Sequence, residues 1–578
     1  MNPLSDLPSN NSMTKNTKSN ELILRDPSKV MRLERMGSSF QTRLSFMRTL
    51  IRRMSTDKWR FERLISDIDS EGYGVSVYAA HTPERTYSLV AFTQSIPNDM
   101  RTDRVIAEVW DATFSLYDGV PSLEDIEYLS KHTPKQEAGR FRPSELVLAR
   151  ANKSLRLFEH IASSLSNGEQ PDIDLLASVG YLMRTTAVYG SGKFGCADRA
   201  KLHDREECKV SFHIELLAVY LIRWFTIDLV ETIAQKRGGK KAVKLEYNIS
   251  KFIGVGNSTG LGMAPFLLKH PVLIHNWVSA KESSLGRVRS INNPTDYSTE
   301  VFLQSLKQAS QHIREWNVED EEQTLRIERL RVEVDKLEYW CVTNDILKKM
   351  SPWDIIYKFV EENFSYECQE LTVSLLLEPH GELIDELADT MLATDGTVFD
   401  SNMQLKELTN ILNEHYSWAT KIDFSSAESQ HHFWYYSEDK LEPRFGSIDT
   451  DDGVEQEMPL AIAREISDLH NKLKTFSNTM CTGEFAMRYP QFRHIIRRAQ
   501  NTAIRPYAEV QDNLLNKSMR PLDLLRFKLA FFGASKFDPK SDLWTRISMY
   551  QGAPLPKQLN DKDHDNWAFP IKPIKEIR

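Results

Sequence analysis

At 578 residues the chain is too long for one simple core, and the usual ~100–200 residues per domain predict two to four domains. Its 41% hydrophobic and 27% charged residues form an ordinary soluble globular mixture. The formal net charge of −8, from 73 basic and 81 acidic residues, disfavours a nucleic-acid-binding surface over the whole molecule, although it allows a local basic patch.

Cysteine usage and the N-terminal composition indicate a cytoplasmic protein. The five cysteines are scattered and odd in number, and no CxxC pair occurs, so neither a zinc ribbon nor a disulfide scaffold is indicated. The N-terminus has no apolar segment typical of a secretory signal. The most hydrophobic stretch, 212–233, carries charges along its length, whereas a membrane span requires ~20 nearly uncharged residues. We therefore expect a soluble, cytoplasmic protein without a membrane partner.

The first 145 residues are predicted to form a tail and a small domain. Residues 1–40, rich in Ser, Asn and Lys, predict a flexible tail whose removal costs little stability. Residues 41–145 predict an α+β domain that opens with a basic amphipathic helical region at 44–66. Two extended runs within 73–93 then predict an antiparallel hairpin, which 104–117 extends to a three-stranded meander.

The middle of the chain, 146–423, is predicted to be a helical core. Apolar residues follow helical spacing over 146–165, and 212–233 is apolar nearly all round, as expected of a buried helix. Residues 319–350 predict one long helix with a charged outer face. Their apolar positions hold no strict heptad, so a coiled coil is the less favoured alternative.

The last third changes composition twice. Residues 424–458 combine a polar run, the aromatic run 431–436 and an acidic stretch, and predict an excursion or lid. Residues 459–578 predict further helices and an irregular, Pro-rich tail. The fold class is therefore predicted as mainly α, α+β overall, with a large helical core and a small N-terminal α+β domain containing the hairpin or meander.

The most informative motif is a glycine-rich segment between a run predicted as extended, at 243–249, and one predicted as helical. Glycine lets backbone N–H groups converge on a ligand, and a loop delivered to a helix N-terminus suits a phosphate or carboxylate. The candidate ligand-binding residues of this segment are Gly254, Gly256, Asn257, Ser258, Thr259 and Gly260.

Two well-known nucleotide motifs do not match this segment. In the series Gly254, Gly256, Gly260 the third glycine falls one residue late for GxGxxG, and no βαβ pattern surrounds it, which disfavours a dinucleotide fold. No Gly-Lys-Ser/Thr ends the segment, so a Walker A loop is excluded. Close backbone packing or a helix cap remains an open alternative to ligand binding.

A second glycine cluster lies upstream and carries cations. Gly190 and Gly192 stand beside Arg184 and Lys193, and arginine offers a bidentate fork to carboxylate or phosphate where lysine offers a point charge. The two clusters could face each other across one pocket. A surface turn with solvated charges is the competing interpretation.

The apolar helix between the clusters supplies candidate acid and base groups. His213, Glu215 and Asp228 are ionisable residues that a buried helix must pair, expose or shift in pKa, and structural ion pairs are the competing interpretation. The His, Cys, Asp and Glu residues of 203–215 show no HExxH spacing, so no metal is predicted. A nucleophilic Cys196 and a nucleic-acid contact at 493–498 are less favoured.

These patterns predict an enzyme that binds a small anionic metabolite or cofactor at both glycine segments and uses general acid/base chemistry. They leave the reaction type, the cofactor and the oligomeric state open. The alternative is a helical interaction or regulatory scaffold that uses the aromatic run 431–436 and the long helix at 319–350. An enzyme requires the two glycine segments to converge on a concave polar pocket, whereas a scaffold requires only exposed apolar surface.

Overall fold

The structure is a computed structural model. It describes residues 22–37, 40–100, 109–135, 142–185, 195–196, 202, 204–259, 270–316, 321–392, 399–426, 433–437, 442–446, 458–460, 462–477, 479–511, 521–535, 538–541, 544–560 and 564–574.

A large, curled β-sheet lies at the centre of the described chain and draws strands from residues 60 to 549. Its ten strands are β1 (Arg60–Ile68), β2 (Gly74–His81), β3 (Thr86–Thr93), β4 (Ala112–Asp118), β5 (Glu145–Lys153), β6 (Tyr181–Thr185), β7 (Gly195–Cys196), β8 (Gly254–Thr259), β12 (Asp538–Ser541) and β13 (Trp544–Met549). Their order is β1-β2-β3-β4-β5-β6-β8-β13-β12, with β7 beside β5. The pairs are antiparallel except β6 and β8, which run parallel.

The predicted fold class is wrong, because strands are not confined to a small N-terminal domain. Strand β5 occupies the first half of the stretch 146–165 predicted as helix, β8 lies in the predicted glycine loop, and β13 lies in the C-terminal segment 459–578, for which helices and a Pro-rich tail were predicted. Short apolar runs such as Leu146–Leu148 fit either period, and pairing with distant strands decides between them. The hairpin is confirmed, because β2 and β3 pair antiparallel with His81 opposite Thr86. Strand β4 adds the next strand at the end of the predicted 104–117, whereas 104–108 lie outside the described residues.

Helices precede, separate and follow these strands along the chain, and they form most of the remaining described structure. They are α1 (Pro27–Val30), α2 (Leu33–Gly37), α3 (Phe46–Thr56), α4 (Leu123–His132), α5 (Phe158–Ser166), α6 (Ile173–Val179), α7 (His213–Gly238), α8 (Tyr247–Phe252), α9 (Pro271–Arg289), α10 (Asp296–Arg314), α11 (Glu321–Thr343), α12 (Pro352–Asn363), α13 (Tyr366–Leu377), α14 (Gly381–Ile384), α15 (Leu405–His415), α16 (Ser417–Thr420), α17 (Ile462–Leu473), α18 (Thr482–Arg488), α19 (Arg493–Ile504) and α20 (Pro521–Phe532). Helix α8 replaces the end of the run predicted as extended at 243–249. A second sheet joins β9 (Phe433–Ser437), β10 (Glu442–Gly446) and β11 (Met458–Leu460). Within the described ranges, no helix is long and apolar enough to cross a membrane.

Helix α7 packs against the large sheet and confirms the buried helix predicted at 212–233. It contacts β2, β3, β5, β6 and β8. Phe225 makes edge contacts with Tyr78 of β2 and Phe114 of β4, with ring centroids 6.0 Å and 5.4 Å away. Its hydrophobic residues are buried on nearly all sides, so sheet and helix share one core.

Arg223 attaches α7 to two distant segments through backbone carbonyls. Its Nε donates to the Ile253 carbonyl at 2.6 Å, its Nη2 to Lys251 at 2.7 Å and its Nη1 to Ala553 at 2.9 Å. Burial lowers the pKa of Arg223 to about 10, which still leaves it charged at neutral pH. These bonds hold the start of β8 and the chain after β13 against the same helix.

Residues 22–37, which belong to the predicted tail, pack into the core through a buried ionic cluster. Arg25 reaches Glu282 of α9 and Glu370 of α13, both at 2.7 Å, and Arg35 reaches Glu370 at 2.6 Å. Lys281 also lies 3.1 Å from Glu370. Burial alone would raise the pKa of Glu370, but Arg25, Lys281 and Arg35 hold it well below its usual range. Residues 22–37 are therefore a structural part of the described fold, and residues 1–21 of the predicted tail lie outside the described residues.

We expect Arg25→Ala to destabilise the protein by about 3–5 kcal/mol, because it leaves Glu282 buried without its cation. The matched control is Lys29→Ala, four residues along, whose pair with Glu361 is largely exposed and worth about 0–1 kcal/mol. Urea unfolding of the full chain measures both. Equal midpoints for the two variants would contradict a structural role for this segment.

An arginine-lined cavity at the start of helix α7

A cavity of about 1080 Å³ opens where α7 begins. Its walls come from α3, from the segment before α7, from α10, from residues 378–392 and from residues 564–566. The charged and histidine side chains that line it are Arg43, Arg52, Arg53, Asp57, Glu206, Lys209, His213, Glu378, Asp385, Asp389, His564 and Asp565. The cavity therefore brings together residues from both ends of the chain.

Phe212 immediately precedes α7 and fixes the direction in which the helix starts at the cavity wall. It has a φ of 66°, in the left-handed region, which costs a bulky residue about 1–3 kcal/mol. Its ring packs against Phe46, Phe532 and Phe531, with centroids 5.5, 5.1 and 5.9 Å away. Because this aromatic cluster fixes the ring, the next residue, His213, is placed at the cavity wall.

His213 is a buried, neutral imidazole. It is 3% exposed, and its Nε2 is hydrogen-bonded to Thr49 Oγ1 of α3 at 3.0 Å. Its Nδ1 makes no hydrogen bond of normal geometry to any residue in the described part of the chain. Burial first, and then the positive charges of Arg53 and Arg52, lower its pKa to about 3, although the nearby Glu207 carbonyl offsets part of this. The imidazole is therefore neutral near pH 7.

Asp565 organises three arginines on the facing part of the wall. It lies 2.7 Å from Arg43, 3.1 Å from Arg48 and 3.3 Å from Arg52. Burial alone would raise the pKa of Asp565, but Arg48, Arg52 and Arg43 hold it well below its usual range. Arg48 also pairs with Glu378. The arginines are therefore held in place before any ligand arrives.

Arg52 is the least compensated member of this group. Its contacts to Asp565 and Asp385 are 3.3 Å and 3.5 Å long, and its pKa is lowered by burial and by repulsion from Arg43. The neighbouring Arg53 forms an ion pair with Asp57, four residues further along, at 3.3 Å. The positive part of the cavity therefore lies between these two arginines and the imidazole at the start of α7.

The cavity is otherwise mixed in charge. Among the lining residues, Glu206 and Lys209 form an ion pair with each other, and Asp389 is exposed. Within the residues that the structure describes, no group of three or more His, Cys, Asp or Glu side chains is arranged to hold a metal ion. The cavity is therefore polar and carries both cationic and anionic side chains.

The structure brings together part of the two predicted glycine segments. Arg184 on β6 stands beside Gly256 on the parallel strand β8. Gly190, Gly192, Lys193 and Gly260 lie outside the described residues. None of the described candidates (Arg184, Gly254, Gly256, Asn257, Ser258 and Thr259) lines the cavity.

The glycines of β8 have a packing role that the sequence left as an alternative. A Cβ on Gly256 would lie 2.6 Å from the Tyr181 ring, and one on Gly254 would lie 2.7 Å from the Met549 carbonyl. Asn257 donates to the Thr185 carbonyl at 2.9 Å and accepts from Lys528 at 2.8 Å. Strand β8 is therefore closely fitted to its neighbours instead of forming an open loop.

The three candidate acid/base residues occupy three different environments. His213 lines the cavity. Asp228 lies fifteen residues further along α7, or about 22 Å, where it accepts from Tyr78 at 2.6 Å and pairs with Arg63 at 2.6 Å. Glu215 is 3% exposed and lies about 200° around the helix from His213, away from the cavity lining.

Sequence reasoning missed most of the residues that form the cavity. The arginines of α3 lie in the stretch predicted as a basic amphipathic helix, which was the available signal. Their partners, such as Asp565, are hundreds of residues away, and no local pattern connects them.

No family model, curated protein or solved structure matches this chain in the comparisons made with each.

His213→Gln should flatten the loss of stability on acidification. The pKa of His213 is about 3 when folded and 6.5 in the unfolded chain. As the pH falls, the unfolded state therefore takes up a proton at His213 before the folded state does. The contribution of the neutral His213 to the free energy of unfolding is thus complete above pH 6.5 and is lost as the pH falls toward 3. Urea unfolding between pH 7 and pH 4.5 measures the slope for each protein.

His494→Gln is a control of opposite sign, because a hydrogen bond to Glu465 raises the pKa of His494. Its contribution is present at low pH and lost as the pH rises, so its removal should steepen the slope. Identical slopes for wild type and His213→Gln would disprove the neutral, buried imidazole.

Gly256→Ala should destabilise the protein by about 1–3 kcal/mol, because its Cβ would overlap the Tyr181 ring at 2.6 Å. The control is Gly286→Ala within α9, which should be neutral or stabilising, because the added Cβ would lie at an ordinary contact distance of 3.4 Å from the Leu22 side chain. Thermal unfolding compares them. A stable Gly256→Ala protein would remove the packing explanation for this glycine.

Proposed function

We propose that this protein binds a small molecule bearing a carboxylate or phosphate group in the cavity at the start of α7. The anionic group would contact Arg52, Arg53 and His213. The single observation that carries the proposal is that Arg52, Arg53 and His213 line one cavity, and burial together with neighbouring arginines lowers the pKa of Arg52 and of His213 there. Burial disfavours the charged forms of Arg52 and His213, and an anionic group beside them would favour both charged forms.

The beginning of α7 supports the same position. A helix of 26 residues has unpaired backbone N–H groups and a partial positive charge at its first turn. Phe212 contributes no side-chain cap to these groups. A phosphate or carboxylate at this end would accept from them and from the arginines together.

The volume and lining favour a polar metabolite or cofactor instead of an apolar ligand. The cavity volume of about 1080 Å³ lies just above the ~300–1,000 Å³ typical of ligand pockets. Gln304 and Ser305 of α10 and Thr49 of α3 add neutral hydrogen-bonding groups to the charged lining. Asp389 is placed to accept from a hydroxyl or amine elsewhere on the same ligand.

His213 is the acid/base candidate for an enzymatic reaction on such a ligand. A neutral imidazole accepts a proton, and an adjacent anion would raise its pKa toward the neutral range. The proposal therefore retains general acid/base chemistry but assigns it to His213 without Glu215 or Asp228.

Thermal shift and calorimetry with orthophosphate, pyrophosphate and citrate test this proposal, with sodium chloride at matched ionic strength as the reference. At least one anion should raise the melting temperature beyond the salt effect, because a ligand at ~100 times its Kd adds ~2.7 kcal/mol. Arg53→Gln should weaken that binding by at least about tenfold. Arg314→Gln, which removes an exposed pair with Asp335, should leave it unchanged.

A second readout separates this site from nonspecific screening. Sulfate does not titrate near neutral pH, so its binding should tighten as the pH falls toward 5, because the anion raises the pKa of His213 and binding takes up a proton. This pH dependence should disappear in His213→Gln. Anion effects no larger than those of sodium chloride, or equal binding by Arg53→Gln and wild type, would refute the proposal.

A further inference from the structure

A second cavity adjoins the arginine-lined cavity. Its volume of about 440 Å³ lies within the ~300–1,000 Å³ typical of ligand pockets. Helix α8, helix α10 and residues 566–574 supply most of its lining, which combines apolar side chains with amides and two lysines. The apolar residues include Phe252, Trp567, Phe569 and Ile571, and the polar ones are Asn248, Lys251, Gln308, Asn566 and Lys572.

Helix α10 forms a wall of both cavities. Tyr297, Val301, Gln304 and Ser305 line the first cavity, and Gln308 lines the second. At 3.6 residues per turn these positions fall within an arc of about 100° on the helix surface. Gln308 lies one turn, or about 6 Å, beyond Gln304 along the axis. The two cavities therefore follow each other along the same face of α10.

The segment 564–566 joins the cavities a second time. Asn566 lines both of them. The preceding residue, Asp565, lies 3.3 Å from Arg52, one of the arginines assigned to the anion. Because adjacent Cα atoms are only about 3.8 Å apart, Arg52 lies near the boundary between the cavities. A ligand whose anionic group binds Arg52 can therefore extend a second group into the neighbouring cavity.

We propose that the ligand is a nucleotide, with its phosphates in the arginine-lined cavity and its base in the second cavity. This inference rests on the proposed function, since the phosphate contacts are those assigned above to Arg52, Arg53 and His213. The sugar would lie between the two ends, beside Gln304 and Ser305. The site requires neither of the two glycine motifs that the sequence lacks.

The amide side chains of the second cavity favour a base. Those of Asn248, Gln308 and Asn566 make no hydrogen bond within the part of the chain that the structure describes. An amide offers a donor and an acceptor side by side and can pair with the edge of a base. An acyl chain in this cavity would shield the amides from water without replacing those bonds, at a cost of about 1–3 kcal/mol each.

The apolar lining suits the faces of the same planar ring. Trp567 and Phe569 are 2% and 5% exposed, and both belong to the buried hydrophobic residues of the fold. A base can keep its faces against apolar side chains while its edges meet the amides.

The phosphates are assigned to the first cavity although two lysines line the second. Lys572 forms an ion pair with Asp174, and Lys251 lies over the Tyr247 ring, 6.0 Å from its centroid. The first cavity combines Arg52 and Arg53 with the backbone N–H groups at the start of α7. Arginine forks and a helix N-terminus together suit a phosphate better than lysine point charges do.

Calorimetry of the full chain with ADP, GDP, CDP and UDP, each compared with pyrophosphate at matched ionic strength, tests the inference. At least one nucleoside diphosphate should bind at least about tenfold more tightly than pyrophosphate, because its base adds contacts in the second cavity. The matching free nucleoside should bind at least about tenfold more weakly than that diphosphate, because it lacks the group held by the arginines.

Two variants of the second cavity separate the base from the phosphates. Gln308→Ala removes an amide, and Ile571→Trp fills part of the space. Each should weaken nucleoside diphosphate binding at least about fivefold and leave pyrophosphate binding unchanged. Lys307→Ala, beside Gln308 but lining neither cavity, is the matched control and should change neither affinity. Arg53→Gln should weaken both ligands.

The outcomes distinguish this inference from the proposed function. If pyrophosphate binds and no nucleoside diphosphate binds more tightly, the nucleotide assignment is overturned and the anion site stands. If neither class of ligand binds, the anion site fails and the nucleotide assignment fails with it. Tight nucleotide binding that both Gln308→Ala and Ile571→Trp leave unchanged would place the base elsewhere and overturn the inference.

Discussion

The burial of helix α7 against the curled sheet is the constraint on which the rest of the structure depends. Its charged residues cannot all reach water, so each is handled differently along the helix: Arg223 is bonded by backbone carbonyls, Asp228 by Tyr78 and Arg63, and His213 stays neutral. The carbonyls bound by Arg223 belong to segments before β8 and after β13, so one buried charge joins distant parts of the chain.

The same cost of burying charge produces the electrostatics of the cavity. Asp565 is deeply buried and stays ionised because Arg43, Arg48 and Arg52 surround it. For Arg52, in contrast, burial and the nearby Arg43 and Arg48 lower the pKa by more than Asp565 and Asp385 raise it. Such clusters do not stabilise in simple proportion to their number, since desolvation offsets much of the attraction. They specify which segments meet, and here they hold α3 against the segments that contain Asp385 and Asp565.

The cavity and the outer face of α11 differ in how their side chains are arranged. The cavity gathers side chains of both charges around the buried His213, and the proposed anion would contact His213, Arg52 and Arg53. The outer face of α11 instead carries charged side chains around the exposed apolar residues Leu325, Val332 and Tyr339. The two surfaces share no residues in the described structure.

What could be predicted from the sequence were elements whose pattern is local. The hairpin of β2 and β3 follows from alternation on both sides of a short turn, and α7 and α20 follow from continuous apolar helical runs. Strands β5, β8 and β13 could not be assigned, because a short apolar or glycine-rich segment becomes a strand only when a neighbour supplies its hydrogen bonds. The cavity depended on tertiary structure still more. Nothing in the sequence pairs Arg52 with Asp565, and only the folded chain brings them within 3.3 Å in a place where burial makes their charges matter.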